Sequence, residues 1–389
     1  MRHPGLPSLL HQQLTLGPAG TTYFGAGTLT RLPASVGLVG KRRAFVVTER
    51  GVAASGVAGA VMGMLAAAGV ETGVFDKVRT NPTVDDVEAG SHVLRKFGDA
   101  AVVAVGGGSA LDAAKGISLA ATNQLPVTEL DYRNEPQHPG FPLVAVPTTA
   151  GTGAETNGFG VIGDPAARRK FYVGHESVAP RAAVLDPELT LGLPSGPTAA
   201  TGMDALIHAL ESMSSRRANP YARSLGLEVV RMVTRWLPTA VADGLDLEAR
   251  AQMLLAAHLA GLAFSTTGLG LCHAIGHALS ARLGTPHGVA LTVVLPHVLE
   301  FNAAVTSETQ SDIAAAMGGD RLAVAVRRLS TQLGMPETLR ALDCTEEVVP
   351  IIVSDALADP VIVNTPRMPT QDQLTDLLSG AMGDRPAVA

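Results

Sequence analysis

The stretch that decides the fold is Ala101–Asp112, AVVAVGGGSALD. Its first five residues are small or β-branched and read as a buried strand, three glycines follow, and Ser109-Ala110-Leu111-Asp112 opens a helix. Glycines let backbone approach a phosphate closely, and the N–H groups at a helix amino terminus favour its negative charge. A second Gly/Thr-rich segment, Pro147–Glu155 (PTTAGTGAE), again follows an apolar run. Two such loops at one sheet edge point to a phosphate or dinucleotide.

Outward from these loops, residues 40–190 alternate between short apolar runs and Ala-rich helical windows. Candidate strands are Arg43–Thr48, Val70–Phe75, Ala101–Val105, Leu143–Val146, Phe159–Ile162, Phe171–Val173 and Ala183–Leu185, with helices near 52–68, 83–97 and 109–122. That spacing predicts right-handed βαβ units and a mostly parallel, Rossmann-like sheet, with ligands at the carboxyl ends of its strands. Glu49 closes the first of these strands, where a carboxylate can accept from ribose hydroxyls and repel a 2′-phosphate, favouring NAD over NADP. Beyond about 190 the pattern becomes consecutive helices, at 198–214, 219–235, 247–264, 271–282 and onward. The expected architecture is an α/β nucleotide-binding domain over residues 1–190 followed by an all-α domain over 191–389, with a ligand cleft between them.

Composition narrows the function classes. Of 389 residues, 16% are charged and 46% hydrophobic, which argues against disorder. The net charge of −6 comes with no basic stripe, so nucleic acid is not an expected partner. The two cysteines, Cys272 and Cys344, make no CxxC, so a metal would be held by His and carboxylates, and a reducing cytoplasm fits. The amino terminus carries no apolar run of signal-peptide length. The uncharged windows 51–70 and 251–281 read as buried core helices and not membrane spans, because the second contains Gln252, His258, His273 and His277.

The helical half carries the sharper chemistry. Asp204 and His208 stand at i, i+4, as do His273 and His277, which places each pair on one helix face; His287 follows at a helix break. One carboxylate and three imidazoles (Asp204, His208, His273, His287) suit Fe²⁺, Co²⁺ or Zn²⁺ and not Ca²⁺ or Mg²⁺. Cys272 should face elsewhere as a packed thiol, and His258 and His297 match no motif and read as structural. HExxH, GxSxG and P-loop patterns are absent.

GGGSxxD at 106–112, PTTAGTGAE at 147–155, ATGMDALIHALE at 200–211 and GLGLCHAIGHALSARLGTPHG at 268–288 occur in the order and spacing of one family. From about Thr22 to residue 385 the chain resembles the iron-dependent (group III) alcohol dehydrogenases, within the dehydroquinate synthase-like fold. The resemblance implies metal ligands at Asp204, His208, His273 and His287, and a proton relay at His277. It implies dinucleotide contacts at Glu49, Asn81, Gly107, Gly108, Ser109, Thr148, Thr149, Thr152, Phe159, Lys170 and Leu189, with Asp112 closing the glycine motif on the cofactor side. Phe264 matches an aromatic at the nicotinamide end, and Asn157, where the family usually has Thr, is expected to line the substrate pocket with it. Glu49 also departs, standing where NAD-preferring members usually have Asp.

The expected activity is reversible oxidation of a small alcohol to an aldehyde or ketone with NAD, NADP being the alternative cofactor. Fe²⁺, or Zn²⁺ in its place, would polarise the substrate oxygen. A homodimer in the cytoplasm is expected, with the first twenty residues able to pair with another subunit's sheet. The alternative is a metal-independent reductase of the same fold, such as the maleylacetate reductases, which lack the complete ligand set. Lyases of this fold need a basic pocket that residues 200–290 do not supply, and a non-catalytic role gives no reason for Asp and three His in a charge-free core.

Overall fold

The computed structural model describes residues 20–123, 125–167 and 169–383. Strands β1 (Thr21–Phe24), β2 (Arg43–Glu49), β3 (Glu71–Val78), β4 (Ala101–Gly106), β5 (Leu143–Pro147) and β8 (Ala182–Leu185) form one sheet, while β6 (Phe159–Asp164) and β7 (Arg169–Gly174) pair separately. The order is β1-β8-β5-β4-β2-β3, and every neighbouring pair is parallel. Helices α1 (Leu32–Leu38), α2 (Arg50–Ala54), α3 (Val57–Ala67), α4 (Val84–Phe97) and α5 (Gly108–Asn123) lie between the strands in the chain.

The near-continuous apolar strands follow from burial on both faces. Phe45, Val47, Val102 and Ala104 join one core with Val87 and Leu94 of α4 and Leu111 and Ile117 of α5. The alternate residues Ala44, Val46, Val103 and Val105 join another with Leu32, Val61 and Leu65. From β2 the chain runs out to β3 and returns to β4 on the other side of β2, so the direction of winding reverses between β2 and β4. Ligands of such sheets bind at the carboxyl ends flanking that reversal, which here are Glu49 and Gly106.

Two differences from the sequence reading have physical causes. The segments at 159 and 171 do not join the parallel sheet; they form an antiparallel hairpin. Only a tight turn separates them, in which Asp164 Oδ1 accepts from the N–H groups of Ala166 and Ala167, and a parallel crossover needs a dozen residues or more. Strand β1 was not expected: four residues give no periodicity, and its partner β8 lies far along the chain. Gly20 admits it there, since a Cβ at that position would stand 2.2 Å from the Arg181 carbonyl carbon. The expected pairing of the first twenty residues with another subunit falls on residues 1–19, outside the described residues.

After Leu185 the described residues form helices and turns: α6 (Ser195–Ser214), α7 (Pro220–Ala242), α8 (Leu247–Thr267), α9 (Leu271–Leu283), α10 (His287–Ala316), α11 (Leu322–Gln332), α12 (Val349–Ala358) and α13 (Gln371–Ala381). Among the described residues, 20–193 group with Gly244–His258 into one compact unit, and Pro194–Asp243 groups with residues 259–383 into another, so α8 is shared between them. The 251–281 window is two helices, α8 and α9, bent by 108°. By length and composition α10 alone could also cross a membrane, yet 61% of its most apolar window is buried.

Small residues bring the helices of the second unit together. A Cβ at Gly276 would lie 2.4 Å from Leu291 Cδ2, and one at Gly288 only 2.1 Å from the Ala200 carbonyl oxygen. The second contact is backbone on backbone and cannot yield by a rotamer change. Gly288→Ala is therefore expected to force α10 off α6 and destabilise the protein by about 3 kcal/mol, read as a lowered midpoint in urea unfolding.

Candidate metal centre and cofactor loops

Three helices of the second unit converge on one carboxylate. Asp204, His208 and Glu211 follow at i, i+4 and i+7 along α6 and share a face. His273 and His277 share a face of α9, and His287 is the first residue of α10, set there by Pro286. Asp204 Oδ1 lies 3.6 Å from His208 Nε2, 3.6 Å from His273 Nε2 and 3.9 Å from His287 Nε2. These separations are too long for hydrogen bonds, and Asp204 Oδ1 and His273 Nε2 are both buried without a hydrogen-bond partner. Metal bonds of about 2.1 Å at tetrahedral angles would put neighbouring donors about 3.4 Å apart. The orphaned atoms and the N₃O donor chemistry thus fit a divalent ion of the Fe²⁺ or Zn²⁺ kind.

Glu211, which the sequence reading did not single out, completes the arrangement. Its Oε2 accepts from His273 Nδ1 at 2.6 Å and from Gly270 N at 2.9 Å, and its Oε1 accepts from Cys272 N at 2.7 Å. One side chain from α6 therefore caps the amino end of α9 and directs His273 Nε2 toward Asp204. Burial raises the Asp204 carboxyl, but the surrounding imidazoles outweigh it and hold the group well below the usual carboxylate range. Burial lowers His273, and the Asp204 and Glu211 carboxylates override it, so the imidazole is pushed up to about 9. The signal for Glu211 was its place three residues after His208 on a helix whose other carboxylate is Asp204.

Around this set, Phe264 stacks on His208 with ring centroids 4.6 Å apart, and His277 stacks on His287 at 5.2 Å. Cys272 points to the Leu291 carbonyl at 3.6 Å, and burial pushes its thiol up. His258, read as structural, hydrogen-bonds Glu155 Oε1 at 3.0 Å and Thr22 Oγ1 at 3.2 Å inside the first unit.

The first unit gathers most of the expected cofactor residues at the carboxyl ends of β2, β4 and β5. Glu49 Oε1 accepts from Gly107 N at 2.9 Å. Asn81, held at φ +55°, donates its N–H to Ser109 Oγ at 3.2 Å and accepts from Lys170 Nζ at 3.1 Å. Thr148 N donates to the Gly106 carbonyl at 2.9 Å. Gly106 sits at φ +151°, and a Cβ on Gly107 or Gly108 would meet Thr149 at 3.2 Å or Thr152 at 2.6 Å. Leu189 lies apart, in the turn after β8, packed on the sheet.

Three residues turn inward to a lysine that sequence reasoning missed. Lys115 is fully buried, donating to Asn157 Oδ1 at 3.2 Å and to the Phe159 carbonyl at 2.7 Å, with Asp112 Oδ1 3.8 Å away. Asp112 Oδ2 also accepts from Val161 N at 3.1 Å. Asp112, Asn157 and the Phe159 backbone thus fasten the β6–β7 hairpin to α5. The one sign in the sequence was a lone lysine in an Ala-rich helix, three residues after Asp112.

Comparison with known proteins brings both units into one frame. Residues 19–187 match the family described as iron-containing alcohol dehydrogenase, and residues 198–382 match the Fe-containing alcohol dehydrogenase family, C-terminal. The chain is 32% identical over 370 residues to the NAD-dependent methanol dehydrogenase of Bacillus methanolicus, covering 92% of this chain and 97% of that protein. It is 35% identical over 372 residues to the 1,3-propanediol dehydrogenase of Klebsiella pneumoniae, covering 92% and 96%. Among solved structures, sulfoacetaldehyde reductase from Bifidobacterium kashiwanohense in complex with NAD⁺ superposes with a TM-score of 0.88 at 29% identity, covering 96% of this chain and 100% of that one.

Glu211→Gln keeps the shape but weakens the hold on His273, and divalent-ion affinity is expected to fall about 10- to 100-fold in chelator competition, with helicity unchanged. The Lys115 amine is pushed down to about 8 by burial, against the pull of Asp112 and Glu155, whereas an unfolded lysine titrates near 10.5. Between those values the folded protein has shed this proton and the unfolded chain has not, so the residue's contribution to stability rises with pH. Urea unfolding should show wild type gaining on Lys115→Met across the window from about 8 to 10.5.

Proposed function

The chain belongs to the iron-containing alcohol dehydrogenase family and is an oxidoreductase acting on alcohols, and from that premise we propose that it interconverts a small alcohol and its aldehyde or ketone using NAD(H) and one divalent metal. The observation that carries the reading is Asp204 Oδ1 among the Nε2 atoms of His208, His273 and His287 at 3.6–3.9 Å, with Asp204 Oδ1 and His273 Nε2 themselves buried and unsatisfied. Fe²⁺ is the expected ion, with Zn²⁺ as the alternative. When bound, the ion supplies Lewis acidity at the substrate oxygen and the nicotinamide supplies the hydride acceptor.

The rest falls to the chain's own residues. Glu211 holds the His273 tautomer that leaves Nε2 for coordination. Phe264, packed on His208, fixes that ring and offers an apolar wall for a small substrate. His277, one turn along α9 from His273, takes the hydroxyl proton in oxidation and returns it in reduction. In the first unit Gly107, Gly108, Ser109, Thr148, Thr149 and Thr152 offer backbone and hydroxyl groups to a pyrophosphate, with Asn81 and Lys170 beside them. The Glu49 carboxylate at the end of β2 favours NAD over NADP. The NAD named for the methanol dehydrogenase and the NAD⁺ complex of the sulfoacetaldehyde reductase support that choice. A homodimer and a cytoplasmic setting complete the proposal. The complete four-donor set argues against the metal-independent alternative.

Protein purified without oxygen is expected to carry about one metal per chain and to oxidise NADH with small aldehydes, losing activity on chelation and regaining it with Fe²⁺. His273→Ala should lose both metal and turnover. A chelated protein that still turned over at the full rate would overturn the metal assignment.

A further inference from the structure

Beside the converging donors the second unit buries another imidazole–carboxylate pair. His277 Nδ1 lies 2.9 Å from Asp359 Oδ2, with the two side chains 8% and 11% exposed. Asp359 is itself held, because it stands at the amino end of the 3-10 turn Pro360–Asn364 and its Oδ1 accepts from Val361 N at 3.0 Å. One carboxylate oxygen is thus fixed by backbone and the other faces the ring. Two further imidazoles border the ring. It lies parallel to His287, with 7° between planes at 5.2 Å, and meets His273 edge-on at 6.0 Å.

A carboxylate only accepts, so this contact puts the hydrogen on Nδ1 and the lone pair on Nε2. We propose that Asp359 is a positioning residue for the dehydrogenation: it sets His277 in the Nδ1–H tautomer and aims Nε2 as the proton acceptor. The proposal rests on the reading of His277 as the residue that takes the hydroxyl proton. In oxidation the substrate O–H bond breaks and an Nε2–H bond forms, while the carbinol C–H electron pair leaves with its hydrogen for the nicotinamide and the C=O bond forms. Reduction runs the same transfers backwards. Capping the turn does not explain the residue, since the cap uses only Oδ1 and an amide oxygen would serve it equally. What an amide cannot do from both ends is accept, and an NH₂ group presented to the ring selects the opposite tautomer.

The test compares Asp359→Asn, His277→Ala and the double variant in Fe²⁺-loaded protein, with metal content and NADH affinity read in parallel. Asp359→Asn is expected to keep metal and NADH binding and to lose about 10- to 100-fold in kcat with little change in KM. Added to His277→Ala it should cost nothing more. In Zn²⁺-loaded protein labelled with ¹⁵N-histidine, the signal that disappears in His277→Ala should show Nδ1 protonated in wild type and the other tautomer in Asp359→Asn. Unchanged turnover in Asp359→Asn, a further loss in the double variant or an unchanged tautomer would each overturn the proposal. Full turnover in His277→Ala would overturn the proton-acceptor reading and the catalytic half of the proposal with it, while the ¹⁵N spectrum would still decide whether Asp359 sets the ring.

Discussion

The carboxylate of Asp204 is buried at 3% exposure in a part of the chain almost without formal charge. A lone buried anion is costly in a protein interior unless cations or hydrogen bonds surround it. The second unit places three imidazoles from three helices around that carboxylate, and bringing them there dictates how closely those helices approach. Gly276 lets α9 lie against α10, and Gly288 lets α10 touch the α6 backbone just where His287 must reach Asp204. A wider spacing would leave the carboxylate short of partners, so packing and electrostatics here are one requirement.

The two units share a device. In each, a helix that begins in glycines is capped by a glutamate from a different element: Glu49 of β2 on the start of α5, and Glu211 of α6 on the start of α9. Both carboxylates complement the positive end of a helix. They differ in what else they do. Glu211 spends its remaining capacity on His273, so the cap also orients an imidazole, whereas Glu49 accepts from the Gly107 N–H at the turn from β4 into α5.

Much of this was legible in the sequence. The strands of the sheet read as apolar runs because both faces are covered, and the i, i+4 pairs on α6 and α9 survive as shared faces because helices preserve that spacing. What escaped is of three kinds. Strand β1 is too short to show a period, and its pairing with β8 is non-local. The β6–β7 hairpin has strand-like residues, but its separation from the sheet is decided by turn length. Glu211, Asp359 and Lys115 are single charged residues, and an isolated charge ordinarily reads as solvated. Only tertiary structure shows Asp359 across from His277, 82 positions away. The histidine pattern identifies which residues meet, and the carboxylates behind them carry no periodic mark.

The four converging residues are unequal in one respect: the side chains of Asp204, His208 and His273 are nearly inaccessible, while that of His287 is 26% exposed. An ion held by this set would therefore have one door. Exchange with the medium would begin at the His287 ring, while the three remaining donors stand on α6 and α9 with their side chains buried. Which metal the protein carries would then depend on how fast that ring releases each ion as well as on how tightly the set binds it.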